Sequence, residues 1–443
     1  MSSQGSDANL KAYILCRFAD RSPIYNTWMT DCPIPCAVVD EDLSSWQLPA
    51  DAGIVITHMH YRWEEVHALR KIFRASTVPV LVLADGILEY RNTWEHPELA
   101  DGSMFQPLVG HKIACIGRGQ ARTLESWGNV GKAEVVGLPR LDDVRQQEPA
   151  PIHREGPFRL LVATANTPAF DEAQRVTVVE SLEQVKQQLS AVESIDGRTV
   201  QIRWRLTDNL EDSIGLPSLE DTEGDADERP TLAAEIDGAD AVITTPSTLF
   251  LESALRQRPT AILDFHNTPH FVPAAWTIHG PQQIDATLGE LANPPLPKML
   301  FQDTSLHDNL QCREPAKPRL LKLIETMVEL GRQARSRGEP LQFPQRIIDD
   351  PDQGFATVEA SFDMAELFPD NSAFRNEDPQ KLQAELSQLM KRLETLPQDL
   401  VQKNQYIAQL LKQRDEMKLR ITDLRQRIMK LRRILGIQPK KEK

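Results

Sequence analysis

The stretch "ADAVITTPSTLFLESALRQRPTAILDF", Ala239–Phe265, decides the fold. An apolar run, Ala239–Thr245, stops at a cluster of hydroxyls and a proline. A segment of helical character follows, Thr248–Arg258, and then a second apolar run, Thr260–Phe265. Continuously apolar runs of this length mark strands buried on both faces, and two of them joined by a helix mark one unit of a parallel sheet. Such a strand ends at the sheet edge where ligands bind, and the next helix begins there with free amide N–H groups. Four hydroxyls crowd that junction: Thr244, Thr245, Ser247 and Thr248, with Pro246 fixing the turn. One of them suffices as an N-cap. Four, aimed with the amides at one point, make a candidate phosphate site. Glu252 lies one turn further on the same face. Its carboxylate can accept two hydrogen bonds from a ribose diol; the alternative is a surface glutamate favoured by the helix dipole.

The alternation extends outward in both directions. Between Ala12 and Val136 the runs "AYILCRFA", "CAVVD", "GIVITHM", "VPVLVLADG", "KIACIG" and "AEVVG" are separated by amphipathic segments such as "YRWEEVHALRKIFRAS" and "GQARTLESWGN". A Pro- and charge-rich connection, "LPRLDDVRQQEPAPIHREGP", interrupts at 138–157. Alternation then restarts with "FRLLVATA", a long helix and "TVQIRWRL". An acidic loop, 208–230, precedes the opening stretch, and a further helix, "PRLLKLIETMVELGRQARSRG", follows it. The class is α/β, with two Rossmann-like parallel-sheet domains and a C-terminal coiled coil. The expected division is a disordered N-terminus at 1–10, a first domain at 11–148, a linker at 149–157 and a second domain at 158–340. An irregular linker at 341–379, a coiled coil at 380–436 and a basic tail at 437–443 complete it.

The coiled coil rests on Leu382, Leu386, Leu389, Leu393, Leu396 and Leu400, whose spacing alternates four and three. It resumes after Pro397 and Leu400 with Ile407, Leu410, Arg414, Met417, Ile421, Leu424, Ile428, Leu431 and Leu435. That period, near 3.5, keeps one apolar seam and predicts self-association. The basic end of this segment also suits a peripheral contact with an anionic membrane.

Composition bounds the function. The 443 residues carry a formal net charge of −14, which disfavours a general nucleic-acid binder. Five cysteines at irregular spacing match no disulfide framework and fit a reduced, cytoplasmic setting. Cys32 and Cys36 flank "PIP" with no histidine at zinc-ligand spacing, so no metal is expected. No apolar run approaches the roughly 18 residues of a membrane span.

The opening stretch resembles the nucleotide-sugar segment of GT-B glycosyltransferases. It is most similar to the CDP-glycerol glycerophosphotransferase and capsular polysaccharide transferase group. "VVGLPRLDDV", Val135–Val144, resembles the close of that group's N-terminal domain, and "LLVATANTP" resembles the first strand and loop of its C-terminal domain. The resemblance implies a cleft between the two domains, with donor phosphates at Thr245, Ser247 and Thr248 and the ribose near Glu252. Arg203 and Arg205 end a strand near the same edge. They would neutralise the leaving pyrophosphate, or else pair with the acidic loop after Asp208. Many relatives carry His-Pro where this chain has Trp204 and Arg205. On the acceptor side Asp85, in "VLADGILEYRN", is the first choice of general base and His58 the alternative. Gly117, Arg118 and Gly119 form a possible ligand loop, and His266 would contact the leaving phosphate. The implied function is transfer of a glycosyl or polyol-phosphate unit from a nucleotide-activated donor to a polysaccharide or glycolipid acceptor, with no cofactor. A nucleotide-sugar 2-epimerase of the same fold and a scaffold without activity are the alternatives.

Overall fold

In the computed structural model, residues 10–16, 18–58, 62–75, 77–99, 104–152, 155–216, 230–351 and Lys412 are described. The expected coiled coil apart from Lys412, the basic tail, residues 1–9 and most of the acidic loop lie outside these residues.

The first sheet is built from β1 (Lys11–Ile14), β2 (Cys36–Val38), β3 (Ala52–Thr57), β4 (Val80–Leu83), β5 (Lys112–Cys115) and β6 (Ala133–Val135). Its order is β2-β1-β3-β4-β5-β6, with every pairing parallel. The central strands β3, β4 and β5 are buried at every position, which is why their sequences read as unbroken apolar runs. Helices α1 (Trp63–Ala75), α2 (Tyr90–Trp94) and α3 (Arg118–Ser126) lie between strands, and α4 (Asp142–Gln146) leads out of the domain.

The second sheet holds β7 (Phe158–Ala163), β8 (Ser194–Ile195), β9 (Arg198–Arg205), β10 (Ala241–Thr244), β11 (Thr260–Leu263) and β12 (Trp276–Ile278). Its order is β12-β11-β10-β7-β9-β8, parallel except for the β8–β9 hairpin. That hairpin turns on Asp196 and Gly197, both with positive φ (52° and 74°), the geometry of a two-residue primed turn. Helices α5 (Glu172–Ala191), α6 (Leu210–Ser213), α7 (Leu232–Asp237), α8 (Leu249–Leu255), α9 (Ile284–Ala292), α10 (Leu296–Asn309) and α11 (Ala316–Arg337) complete the order. In this sheet the direction of winding reverses between β7 and β10. Outside the carboxyl ends of those two strands is where an open parallel sheet offers a ligand crevice.

Two expectations are corrected. The segment 318–338 was grouped with the second domain, yet α11 inserts into the core of the first. Leu320, Leu323, Ile324, Met327 and Val328 pack with Ala12, Ile14, Ile54 and Ile56. Its apolar stripe has the 3.6-residue period that fits any sheet face, so sequence alone did not choose between the two. The start of the expected irregular linker is likewise tied to the first sheet. Lys112 and Glu134, both fully buried, pair with each other; Lys112 Nζ donates to Pro344 O and Gln345 O, and Glu134 accepts from Ile347 N and Ile348 N.

The helix of the opening stretch is also shorter than expected, seven residues rather than the full run to Arg258. It stops because Gln257 takes a left-handed φ of 57°. Arg256 and Arg258 are thereby turned inward. Arg256 forms a two-pronged pair with Asp237 at 2.8 and 2.6 Å and donates to the carbonyls of Val144, Gln147 and Glu148. Arg258 donates to Ala150 O. These arginines clamp the outgoing inter-domain connection onto the second sheet.

His111 gives the fold a pH dependence. Its Nδ1 accepts from Val80 N–H at 3.0 Å and its ring stacks on Phe73, so the neutral form is built in. Burial, aided by the Lys132 charge, lowers its pKa to about 4. The folded state therefore binds fewer protons than the unfolded state between pH 6.5 and 4. Stability from this group is complete above pH 6.5 and falls as pH drops towards 4, by about 3 kcal/mol in all. Urea unfolding at pH 7 and pH 4.5 should show this loss in the wild type and a smaller one in His111→Gln. Equal losses would place the acid sensitivity elsewhere.

Candidate functional site

A cavity of about 1430 Å³ opens between the carboxyl edges of the two sheets. From the first domain come Asp85, Gly86, Glu89 and Arg91, after β4, together with Arg140. From the second come Thr164 and Asn166 after β7, Arg203, Trp204 and Arg205 on β9, Glu235 on α7, and Ser247, Thr248 and Glu252. The winding reversal of the second sheet thus opens directly into the cavity.

The hydroxyls of the opening stretch take distinct positions. Thr244 and Thr245 are buried and do not line the cavity. Thr244 Oγ1 donates to Thr245 O, and Thr245 Oγ1 accepts from Ala165 N–H at 2.8 Å, tying together the loops after β10 and β7. Ser247 Oγ accepts from Leu249 N–H at 3.2 Å and so performs the capping role. Thr248 occupies the cap position without capping. Its Oγ1 instead accepts from Ile87 N–H of the first domain at 3.1 Å. Gly86 permits this approach, since a Cβ there would stand 2.1 Å from that oxygen. Ser247, Thr248 and Glu252 are brought together on the cavity wall; Thr245 supports them from behind.

Asp85 is exposed to the cavity and has no hydrogen-bond or ion-pair partner among the described residues. His58 is half-buried behind the lining. Its Nδ1 meets Tyr25 OH at 2.8 Å, and burial lowers its pKa against the pull of the Asp85 carboxylate. The imidazole is therefore near Asp85 but turned towards the core.

Four expected site residues stand elsewhere. Gly117 and Gly119 lie at the seam between the domains rather than on the cavity. A Cβ at Gly117 would meet the Asn309 backbone at 2.3 Å, and one at Gly119 would meet Asn309 Oδ1 at 2.1 Å. Arg118 pairs with Asp308 at 3.4 Å, and Arg122 holds the same carboxylate at 2.8 and 2.6 Å. These glycines allow close packing of α3 against the end of α10. His266 lies against Asp264, away from the cavity lining. Burial would raise the Asp264 pKa, but hydrogen bonds from His266, His270 and Thr268 hold it well below the usual carboxylate range.

The arginines reveal what the sequence did not. Arg203 and Arg205 both pair with Glu235, at 2.8 and 2.6 Å; most of the acidic loop that was their expected alternative partner lies outside the described residues. Arg91, buried, pairs with Glu89 and donates across the cleft to Pro168 O at 3.0 Å. Arg140 pairs with Glu252 at 2.6 Å. Each arginine on the cavity wall is thus matched by a carboxylate; of the two other lining carboxylates, Glu211 accepts from Leu206 N–H at 3.0 Å and Asp85 has no hydrogen-bond or ion-pair partner among the described residues. No local pattern signals Glu235, because it meets Arg205 across 30 residues of chain. Among the described residues no group of histidines, cysteines and carboxylates could hold a metal ion. No helix among them is long and apolar enough to cross a membrane.

No protein-family model and no curated protein matches the sequence. Solved structures do resemble it in fold. They include the wall teichoic acid polymerase TagF, at TM-score 0.45 and 10% identity over 74% of this chain and 91% of that one. Another is S. aureus MnaA with UDP, at TM-score 0.49 and 11% identity over 76% of this chain and 100% of the other. A third is a UDP-GlcNAc 2-epimerase from Neisseria meningitidis bound to UDP-GlcNAc, at TM-score 0.42 and 11% identity over 72% and 100%. Two parallel α/β sheets face one cavity: the first-domain wall carries Asp85, the Arg91–Glu89 pair and Arg140, and the second-domain wall carries Ser247, Thr248, Glu252 and the Arg203 and Arg205 pairs with Glu235.

Proposed function

We propose that the cleft binds a nucleotide-activated donor on its second-domain wall and transfers a glycosyl or polyol-phosphate unit to a polysaccharide or glycolipid acceptor on its first-domain wall. The observation that carries this reading is the meeting of Asp85 with Ser247, Thr248 and Glu252 on one cavity. The β7–β10 reversal favours a nucleotide at the second wall, as open parallel sheets do generally. The donor's phosphates would face Ser247 and Thr248, its ribose Glu252. Arg203 and Arg205 would turn from Glu235 to the pyrophosphate as negative charge builds on the leaving group. Asp85 would take the proton of the attacking hydroxyl. The same proposal includes a cytoplasmic location, with self-association and contact with an anionic membrane through 380–443.

The test is thermal stabilisation by CDP-, UDP-, GDP- and CMP-linked compounds. One of them should raise the wild-type melting temperature, and Ser247→Ala/Glu252→Ala should weaken its binding by roughly tenfold or more, as expected when two polar contacts are removed. Unchanged binding in the double variant would remove the site from this wall. Stabilisation by none of the compounds would remove the enzyme reading. Interconversion of UDP-GlcNAc without an acceptor would favour the epimerase.

A further inference from the structure

The segment Gly137–Asp142 stands where the chain leaves the first domain, and each of three residues in it has a separate task. Gly137 has φ +97°, and a Cβ there would stand 2.8 Å from Gln311 O, so the outgoing connection lies directly against the returning one. Asp142 accepts from Ala316 N–H and Lys317 N–H at 2.7 and 2.8 Å, which caps α11. Both covalent crossings between the domains are therefore fastened together here. Arg140, between these two anchors, points the other way. Its Nη1 donates to Glu252 Oε1 at 2.6 Å, with both side chains largely withdrawn from water and both on the cavity wall.

We propose that the Arg140–Glu252 ion pair gates the ribose position: a nucleoside's vicinal diol gains the Glu252 carboxylate by displacing Arg140. The inference rests on the donor reading above and adds what that reading lacks, a competitor for the ribose position supplied by the first domain. In the free protein Arg140 holds Oε1 of Glu252, so the state that offers both carboxylate oxygens to the two hydroxyls of the diol is a minority. The apparent affinity is reduced by that fraction.

Calorimetric titration with UDP and CDP, and with their 2′,3′-dideoxy forms, tests the gate on the full chain. Arg140→Gln should bind the better ribonucleotide roughly tenfold more tightly than wild type, the gain expected if the pair is formed about nine-tenths of the time. The dideoxy form should show no gain. Arg140→Lys keeps the charge with a looser geometry and should fall between, so the proposal survives a poorly folding glutamine variant. Equal or weaker binding of the ribonucleotide to both variants would overturn the gate and make Arg140 a bystander or a direct ligand contact. So would an equal gain for the dideoxy form. In those cases wild-type binding persists and the donor site stands. Failure of wild type and variants alike to bind any nucleotide would remove the donor reading and the gate together.

Discussion

Asp85→Asn is expected to lower turnover by roughly 10²–10⁴-fold while leaving nucleotide binding and thermal stability unchanged. The side chain is exposed to the cavity and has no partner among the described residues, so its charge has no part in holding the loop. The neighbouring contact that fixes this loop, Ile87 N–H to Thr248 Oγ1, is made by backbone on the first-domain side and survives the substitution. Asn has the same size and no proton-accepting carboxylate, so the variant isolates the base. The measurement is nucleotide release from the donor identified in the binding screen, with acceptor present. Wild-type turnover in Asp85→Asn would move the base to another group, with His58 the alternative named from the sequence. His58 faces Tyr25, so reaching the cavity would require its ring to leave a 2.8 Å hydrogen bond.

The largest stability effect should come from Lys112→Met. Lys112 and Glu134 are fully buried, and the ammonium also donates to Gly131 O, Pro344 O and Gln345 O. Removing one member of a buried pair leaves the other charge without compensation, at a cost of roughly 3–5 kcal/mol. Adding Glu134→Gln should return part of that loss, because the amide has no charge to strand and still accepts one of the bonds from Ile347 and Ile348. Urea unfolding of the wild type, the single variant and the double variant makes the comparison. A double variant less stable than Lys112→Met would mean that Glu134 acts through its backbone contacts rather than through the pair.

These two predictions draw on different levels of legibility. The place of Asp85 on the cavity was readable from sequence because a buried strand, "VPVLVLAD", ends beside it, and the carboxyl end of a parallel strand is where an open sheet offers a crevice. Lys112 was not. It opens the run "KIACIG" and reads as a surface residue before a strand, since a lysine is buried only when partners from elsewhere in the chain surround it. The Ser247–Glu252 element was readable for the same reason as Asp85, but the division of labour among its hydroxyls was not. Ser247 and Thr248 both stand where a helix cap is expected; Ser247 takes that role, and the Thr248 hydroxyl joins the two domains.

By itself the sequence determined the two parallel sheets and the edge on which the candidate site lies. Apolar runs and their spacing are properties of a short stretch of chain, set by which faces each strand must bury. The tertiary structure alone decided that α11 belongs to the first core, that the Gly117–Gly119 turn serves the domain seam, and that each cavity arginine already holds a carboxylate. Those outcomes depend on residues far apart in the chain. An amphipathic helix fits any apolar sheet face, and an arginine accepts any well-placed carboxylate. Only the folded arrangement selects the partner.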